Sequence, residues 1–272
     1  MCHSLAVAAP APSALLASQA TTVDFNWVAA RIEQNETGGK EAYLTFWSDN
    51  EPFPSFGIGH FIWIPKGVTV PFQQTFPQMV AYVSARQPAP DWLRTLNPFQ
   101  PPWPDRHAFY QAWSEPSLSE LRQWLAETKG LQAQFIYRRL LSQLDAAWLQ
   151  MTAAHQRQVS QRIAVLSSEP RGVFALIDYA NFKGVGLNAQ ERYLGEGWGL
   201  LDVLLAMPST PSELSGASDA KPVSSEAFSA ALRAFVESAT SRLRLRVKLS
   251  PRDRNEQRWL PGWETRLARY LS

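Results

Sequence analysis

The chain has 272 residues, 45% of them apolar and 18% charged, which is enough to close a substantial core and too apolar for a disordered chain. Its 26 basic residues against 24 acidic ones leave a net charge of +2, and no basic block argues for nucleic acid as a partner. Cys2 is the single cysteine and the four histidines (His3, His60, His107, His155) are scattered, so no internal disulfide, metal site or cofactor is expected.

Residues 4–20, "SLAVAAPAPSALLASQA", are small, apolar and uncharged and end in the small-x-small pattern of a secretory cleavage site after Ala20. The "MCH" ahead of them carries no Lys or Arg, so 1–22 reads either as a signal peptide or as an Ala/Pro tail. The first reading places the protein in the periplasm or outside the cell. No segment is long enough to span a membrane.

Asp24 then reads as an N-cap for a helix over "DFNWVAARIEQNE", stopped by Gly38 and Gly39. "AYLTFWSDN" reads as an aromatic strand, "DNEP" as a turn and "SFGIGHFIWI" as a second strand. Residues 65–116 are broken up by Pro and Trp. "SLSE" at 117–120 fits a capping box for a helix ending at Gly130. Apolar positions at 136, 140, 144 and 148 predict a long amphipathic helix, or a pair, over 132–166. Further helices are expected over "PRGVFALIDYANFK", "GEGWGLLDVLLAM" and "EAFSAALRAFVESATSRLRL", with a mobile polar loop at 208–225 between the last two. The expected fold class is α+β, mostly α.

A glutamate at a helix end, facing a hairpin that carries further carboxylates, suits glycosidic bond cleavage. One carboxyl protonates the leaving oxygen, and a second, in a wetter place, activates water or stabilises the sugar cation. Glu36 fits the first role, and Asp49 or Glu51 at the turn fits the second. On an extended strand those two point the same way, so spacing does not choose between them.

"NE…EAYLTFWSDNEPFPSFGIGHF" resembles the N-terminal motif of phage-type lysozymes: a helix-terminal Glu, an aromatic seven residues on, an Asp in a hairpin, a hydroxyl residue and Gly-x-Gly-His. "ALIDYANFKGVG" and "SPRDRNEQRWLPGWETRL" are similar to that family's central helix and C-terminal corner. The resemblance implies a lysozyme-like fold, with an N-terminal helix, a small β-hairpin sheet and a helical lobe. The catalytic domain would comprise 23–64 and 168–272, with 65–167 a helical insertion packed on it. It implies Glu36 as general acid, Asp49 (Glu51 as the alternative) with Ser55 as the water-handling pair, and substrate contacts from Tyr43, Trp47, Gly59, His60, Phe61 and Asn181. The implied partner is peptidoglycan, cut at the β-1,4 bond between N-acetylmuramic acid and N-acetylglucosamine. A lytic transglycosylase using Glu36 alone, an inactive glycan-binding scaffold and a chitinase-like hydrolase are the alternatives.

Overall fold

The computed structural model describes residues 10–19, 23–209 and 223–272. Helix takes 64% and strand 4%, and the sheet is small and antiparallel, which is the expected α+β, mostly α, class. Two compact units divide the chain: Asp24–Tyr137, and Arg138–Ser272 with the N-terminal segment.

The first unit opens with helix α2 (Phe25–Thr37), following α1 (Pro12–Gln19) of the other unit. The Asp24 carboxylate accepts from the backbone N–H of Asn26 and Trp27, at 2.9 and 3.3 Å, satisfying donors that a bare helix start leaves orphaned. Gly38, at φ +62°, ends the helix in the left-handed cap that a side chain disfavours. Strands β1 (Thr45–Phe46), β2 (Ser55–Phe56) and β3 (Phe61–Ile62) follow in the order β1-β2-β3, all antiparallel. The expected single strand "SFGIGHFIWI" is thus two strands, because Gly57 at φ +68° and His60 at φ +47° turn the chain back on itself.

The Pro- and Trp-rich stretch holds α3 (Phe76–Ser84), α4 (Asp91–Arg94) and α5 (Arg106–Gln111). It supplies this unit's core. Phe56 of β2 lies 4.6 Å from Phe76, Trp63 lies 4.7 Å from Phe76, and Trp103 lies 5.2 Å from Phe109, ring to ring. In α3 the buried residues Phe76, Met79, Val80 and Val83 form one helical stripe. The compact division runs at 137/138, and aromatic residues from the 65–116 stretch pack against the sheet within the first unit.

Helix α6 (Pro116–Glu127) begins with Pro116 at its first turn and no side-chain cap, so the expected capping box does not form. Gly130 does not stop it, because α7 (Lys129–Trp148) starts at once. The expected 132–166 segment is indeed a pair, with α8 (Ala153–Leu166) capped by Thr152.

The other unit is built on α9 (Pro170–Lys183), buried continuously from Gly172 to Ala180. A hairpin, β4 (Arg192–Tyr193) and β5 (Glu196–Gly197), precedes α10 (Leu200–Ala206). Helices Ser225–Leu249 and Leu260–Ala268 complete it. Asp178 is fully buried and accepts two bonds from Arg266, both 2.8 Å, and one from Tyr270 at 2.6 Å. Glu256, 1% exposed, is held by Arg246 at 2.7 and 2.8 Å and by the Tyr193 hydroxyl at 2.9 Å.

Of the expected signal or tail at 1–22, residues 1–9 and 20–22 lie outside the described residues, as do 210–222 of the expected loop. Helix α1 places Leu16 in the core, and the Ser160 hydroxyl of α8 donates to the Pro10 carbonyl. No helix among the described residues is long and apolar enough to cross a membrane.

Candidate active site

Glu36 stands in the last turn of α2, so its position follows from how that helix is fastened. One turn earlier Glu33, 8% exposed, pairs with Lys129 at the start of α7 at 2.7 Å, and the Thr37 hydroxyl donates to the Glu33 carbonyl at 2.9 Å. The Glu36 side chain keeps 14% of its surface, and its Oε2 lies 3.5 Å from His60 Nδ1. His60 is one of three non-glycine residues with positive φ among the described residues. For an L-residue that conformation costs roughly 1 kcal/mol or more, so the surrounding turn must impose it.

Glycines and a glutamine impose the turn. A Cβ on Gly57 would stand 2.3 Å from Gln132 Oε1, and one on Gly59 would stand 2.7 Å from the Phe61 ring. The fully buried Gln132 of α7 accepts from the Ile58 N–H at 3.0 Å and donates to the Leu125 carbonyl at 2.6 Å and to Thr128 Oγ1 at 3.0 Å. Its amide is therefore satisfied at both ends, which a buried polar group needs. Gln132 was legible in outline, for it sits four residues before the apolar stripe at 136, 140 and 144, a polar residue in a buried row. Its partner was not legible.

The two turn carboxylates have different surroundings. Asp49 is exposed, and its Oδ1 pairs with Arg106 at 2.8 Å. Arg106 also donates from Nε to the Trp47 carbonyl at 3.0 Å, so the pair belongs to the brace between the turn and α5. Glu51 is exposed along one edge, yet its carboxyl is crowded enough to titrate above the usual carboxylate value of 4.5. Desolvation is the larger cause, and the His60 charge works the other way. The structure thus brings Glu36, His60 and Glu51 together: one imidazole lies beside Glu36 and couples to the charge of Glu51.

The remaining expected residues differ in what they offer. Tyr43 is 41% exposed, with its ring edge-on to Phe46 at 5.6 Å. Trp47 is 2% exposed and packs on Phe109, while its indole N–H holds the Glu51 carbonyl at 2.8 Å. It braces the turn and gives no ring face to solvent. Phe61 is fully buried and Gly59 makes room for it, so both serve packing rather than direct contact with a sugar. Ser55 is 6% exposed in the middle strand, paired across to Phe46 and Ile62, and a hydroxyl so placed is withdrawn from bulk water. Asn181 belongs to the other unit, near the end of α9.

Sequence reasoning also missed Tyr110, whose hydroxyl donates to the Trp47 carbonyl at 3.1 Å and accepts from the Trp47 N–H at 3.3 Å. Arg122 joins Thr45 Oγ1 at 3.1 Å and lies 4.1 Å over the Trp113 ring. Both come from the stretch expected to be an insertion. Among the described residues no three His, Cys, Asp or Glu side chains converge as a metal site would require. No family model matches the chain, and neither does any curated protein or solved structure.

Proposed function

We propose that this protein is an exported, lysozyme-like glycoside hydrolase that cleaves peptidoglycan between N-acetylmuramic acid and N-acetylglucosamine. The observation that carries the reading is the grouping of Glu36, His60 and Glu51 on a helix end and a turn that the fold holds in place. The resemblance of the helix-Glu, hairpin and Gly-x-Gly-His segment to phage-type lysozymes supplies the reaction class.

Glu36 acts as general acid on the glycosidic oxygen. Glu51 acts as its partner, accepting a proton from the attacking water. A base whose pKa is raised toward the working pH is the stronger acceptor once ionised. Asp49 takes no part in this assignment, because Arg106 already holds its carboxylate on the exposed side of the turn. His60 keeps the two carboxyls in register and tunes the charge of Glu51.

Digestion of purified peptidoglycan with the wild-type chain and with Glu36→Gln, followed by mass analysis of product ends, tests the proposal. Reducing muramic acid ends from the wild type and none from the variant are expected. Anhydro ends that persist in a Glu51→Gln variant would replace hydrolysis by a transglycosylase working through Glu36 alone. No released fragments from the wild type would sink the enzyme reading and leave a glycan-binding scaffold.

A further inference from the structure

The first unit contains a concavity beside β3, with a volume of ≈ 470 Å³, lined among others by Ile64, Lys66, Phe72, Gln73, Gln78 and Gln100. That volume falls in the range of small-ligand sites, roughly 300–1,000 Å³. Its walls are fixed. The loop after β3 folds back on that strand: Thr75 Oγ1 accepts from the Ile62 N–H at 3.0 Å, the Thr75 N–H donates to the Ile62 carbonyl at 2.9 Å, and Gln74 Oε1 accepts from the Ile64 N–H at 3.0 Å.

The lining is chemically selective. Phe72 leaves 41% of its surface open, while its other side packs edge-on against Phe53 at 5.6 Å. An aromatic ring held in this way is a platform for the apolar face of a pyranose. Gln73, Gln78 and Gln100 make no side-chain hydrogen bond among the described residues, so three amides remain to donate and accept. Lys66 is exposed and has no ion-pair partner among the described residues. A cation that the fold does not neutralise favours an anionic group in the same cleft.

The cleft is built on chain segments that adjoin those of the carboxylate site. Phe53, which supports Phe72, follows Glu51 by two residues. Ile64 follows His60 by four, about 13 Å along an extended chain at roughly 3.3 Å per residue. The extended pairing runs that way, with the Trp63 N–H donating to the Pro54 carbonyl at 3.2 Å.

We propose that this cleft is an outlying subsite that binds an N-acetylmuramic acid of the same glycan strand whose lactyl carboxylate is free of a peptide stem, with Phe72 under the ring, the glutamine amides on its hydroxyl and acetamido groups, and Lys66 on that carboxylate. The proposal rests on the hydrolase reading above and deepens it, because it makes the substrate an acidic amino-sugar polymer and disfavours neutral chitin.

The test uses Glu36→Gln protein, so that the glycan survives, titrated by calorimetry with two probes of equal length. One is a soluble oligosaccharide containing N-acetylmuramic acid; the other is a neutral N-acetylglucosamine oligomer. Adding Lys66→Ala is expected to weaken the acidic probe by about two- to fivefold and leave the neutral one unchanged. Adding Phe72→Ala is expected to weaken both, by up to about tenfold. Preference for the acidic probe should fade as salt rises. Both side chains are exposed, and an unchanged melting temperature confirms that each variant is folded. Equal binding of the two probes, or a preference that Lys66→Ala leaves intact, would overturn the subsite, as would no binding of either probe. The wild-type digestion separates the two ideas. Products with no effect of either variant on binding sink the subsite and keep the hydrolase. Lys66-dependent acidic binding without products does the reverse.

Discussion

The two units place their notable carboxylates differently. In the unit of α9, Asp178 and Glu256 are closed from solvent, and each accepts three bonds from an arginine and a tyrosine at 2.6–2.9 Å. In the unit of α2 and the sheet, a fully buried polar anchor is a neutral amide, Gln132, while Glu36 and Glu51 gather about one imidazole at the surface. Burial pushes the Glu256 carboxyl up, but the hydrogen bonds and charge of Arg246, helped by Tyr193, outweigh it and leave the group below the usual value. A depressed carboxyl stabilises the fold above its unfolded pKa, and that contribution is lost as pH falls below about 4.5 through the folded value. Glu51 is shifted the other way. Saturated charges hold an architecture in place, whereas carboxylates grouped around a titratable ring at an accessible edge can exchange protons with a substrate.

Variants in the two units test that contrast. The largest change is expected from Glu36→Gln, with activity on peptidoglycan falling about 10²–10⁴-fold and the melting temperature nearly unchanged. A comparable loss of stability would assign Glu36 to the scaffold. Arg266→Met should do the opposite, costing about 3–5 kcal/mol in denaturant unfolding because it strands a buried carboxylate. Gln132→Leu removes the acceptor from the buried Ile58 N–H, and about 1–3 kcal/mol of destabilisation is expected. Activity should fall with it, since the turn carrying His60 loses its anchor. In His60→Asn only desolvation acts on Glu51, so its carboxyl should ionise at a higher pH. The acidic limb of the kcat/KM profile should therefore move upward, and a downward move would contradict the coupling. Asp49→Asn should change least, about 0–1 kcal/mol in stability with activity largely kept, as suits an exposed ion pair. A collapse of activity there would return the catalytic role to Asp49.

Helix α2 was legible almost residue by residue, because its cap and its glycine stop are local signals that nothing distant overrides. The split of the second strand was less so. Gly57 announced a turn, but the left-handed backbone at His60 depends on Gln132, 72 residues further along the chain. Spacing left Asp49 and Glu51 equivalent for the same reason, since the arginine that pairs with Asp49 comes from α5. Residues 65–116 were the hardest to read. Their prolines and tryptophans lack periodicity, and only in three dimensions do Trp63, Phe76, Trp103 and Phe109 form one aromatic mass. Trp47 shows the same limit: an aromatic beside a carboxylate reads as a sugar platform until its burial is known.

The fold-back of Gln74 and Thr75 onto β3 has a consequence beyond the cleft it shapes. A three-stranded sheet ends in exposed rims, and an open rim is a template on which a second molecule can add a strand. Here the Ile62 and Ile64 amides and the Ile62 carbonyl are already taken by the chain's own loop. Along this rim the loop already occupies the backbone groups that an added strand would have to pair with.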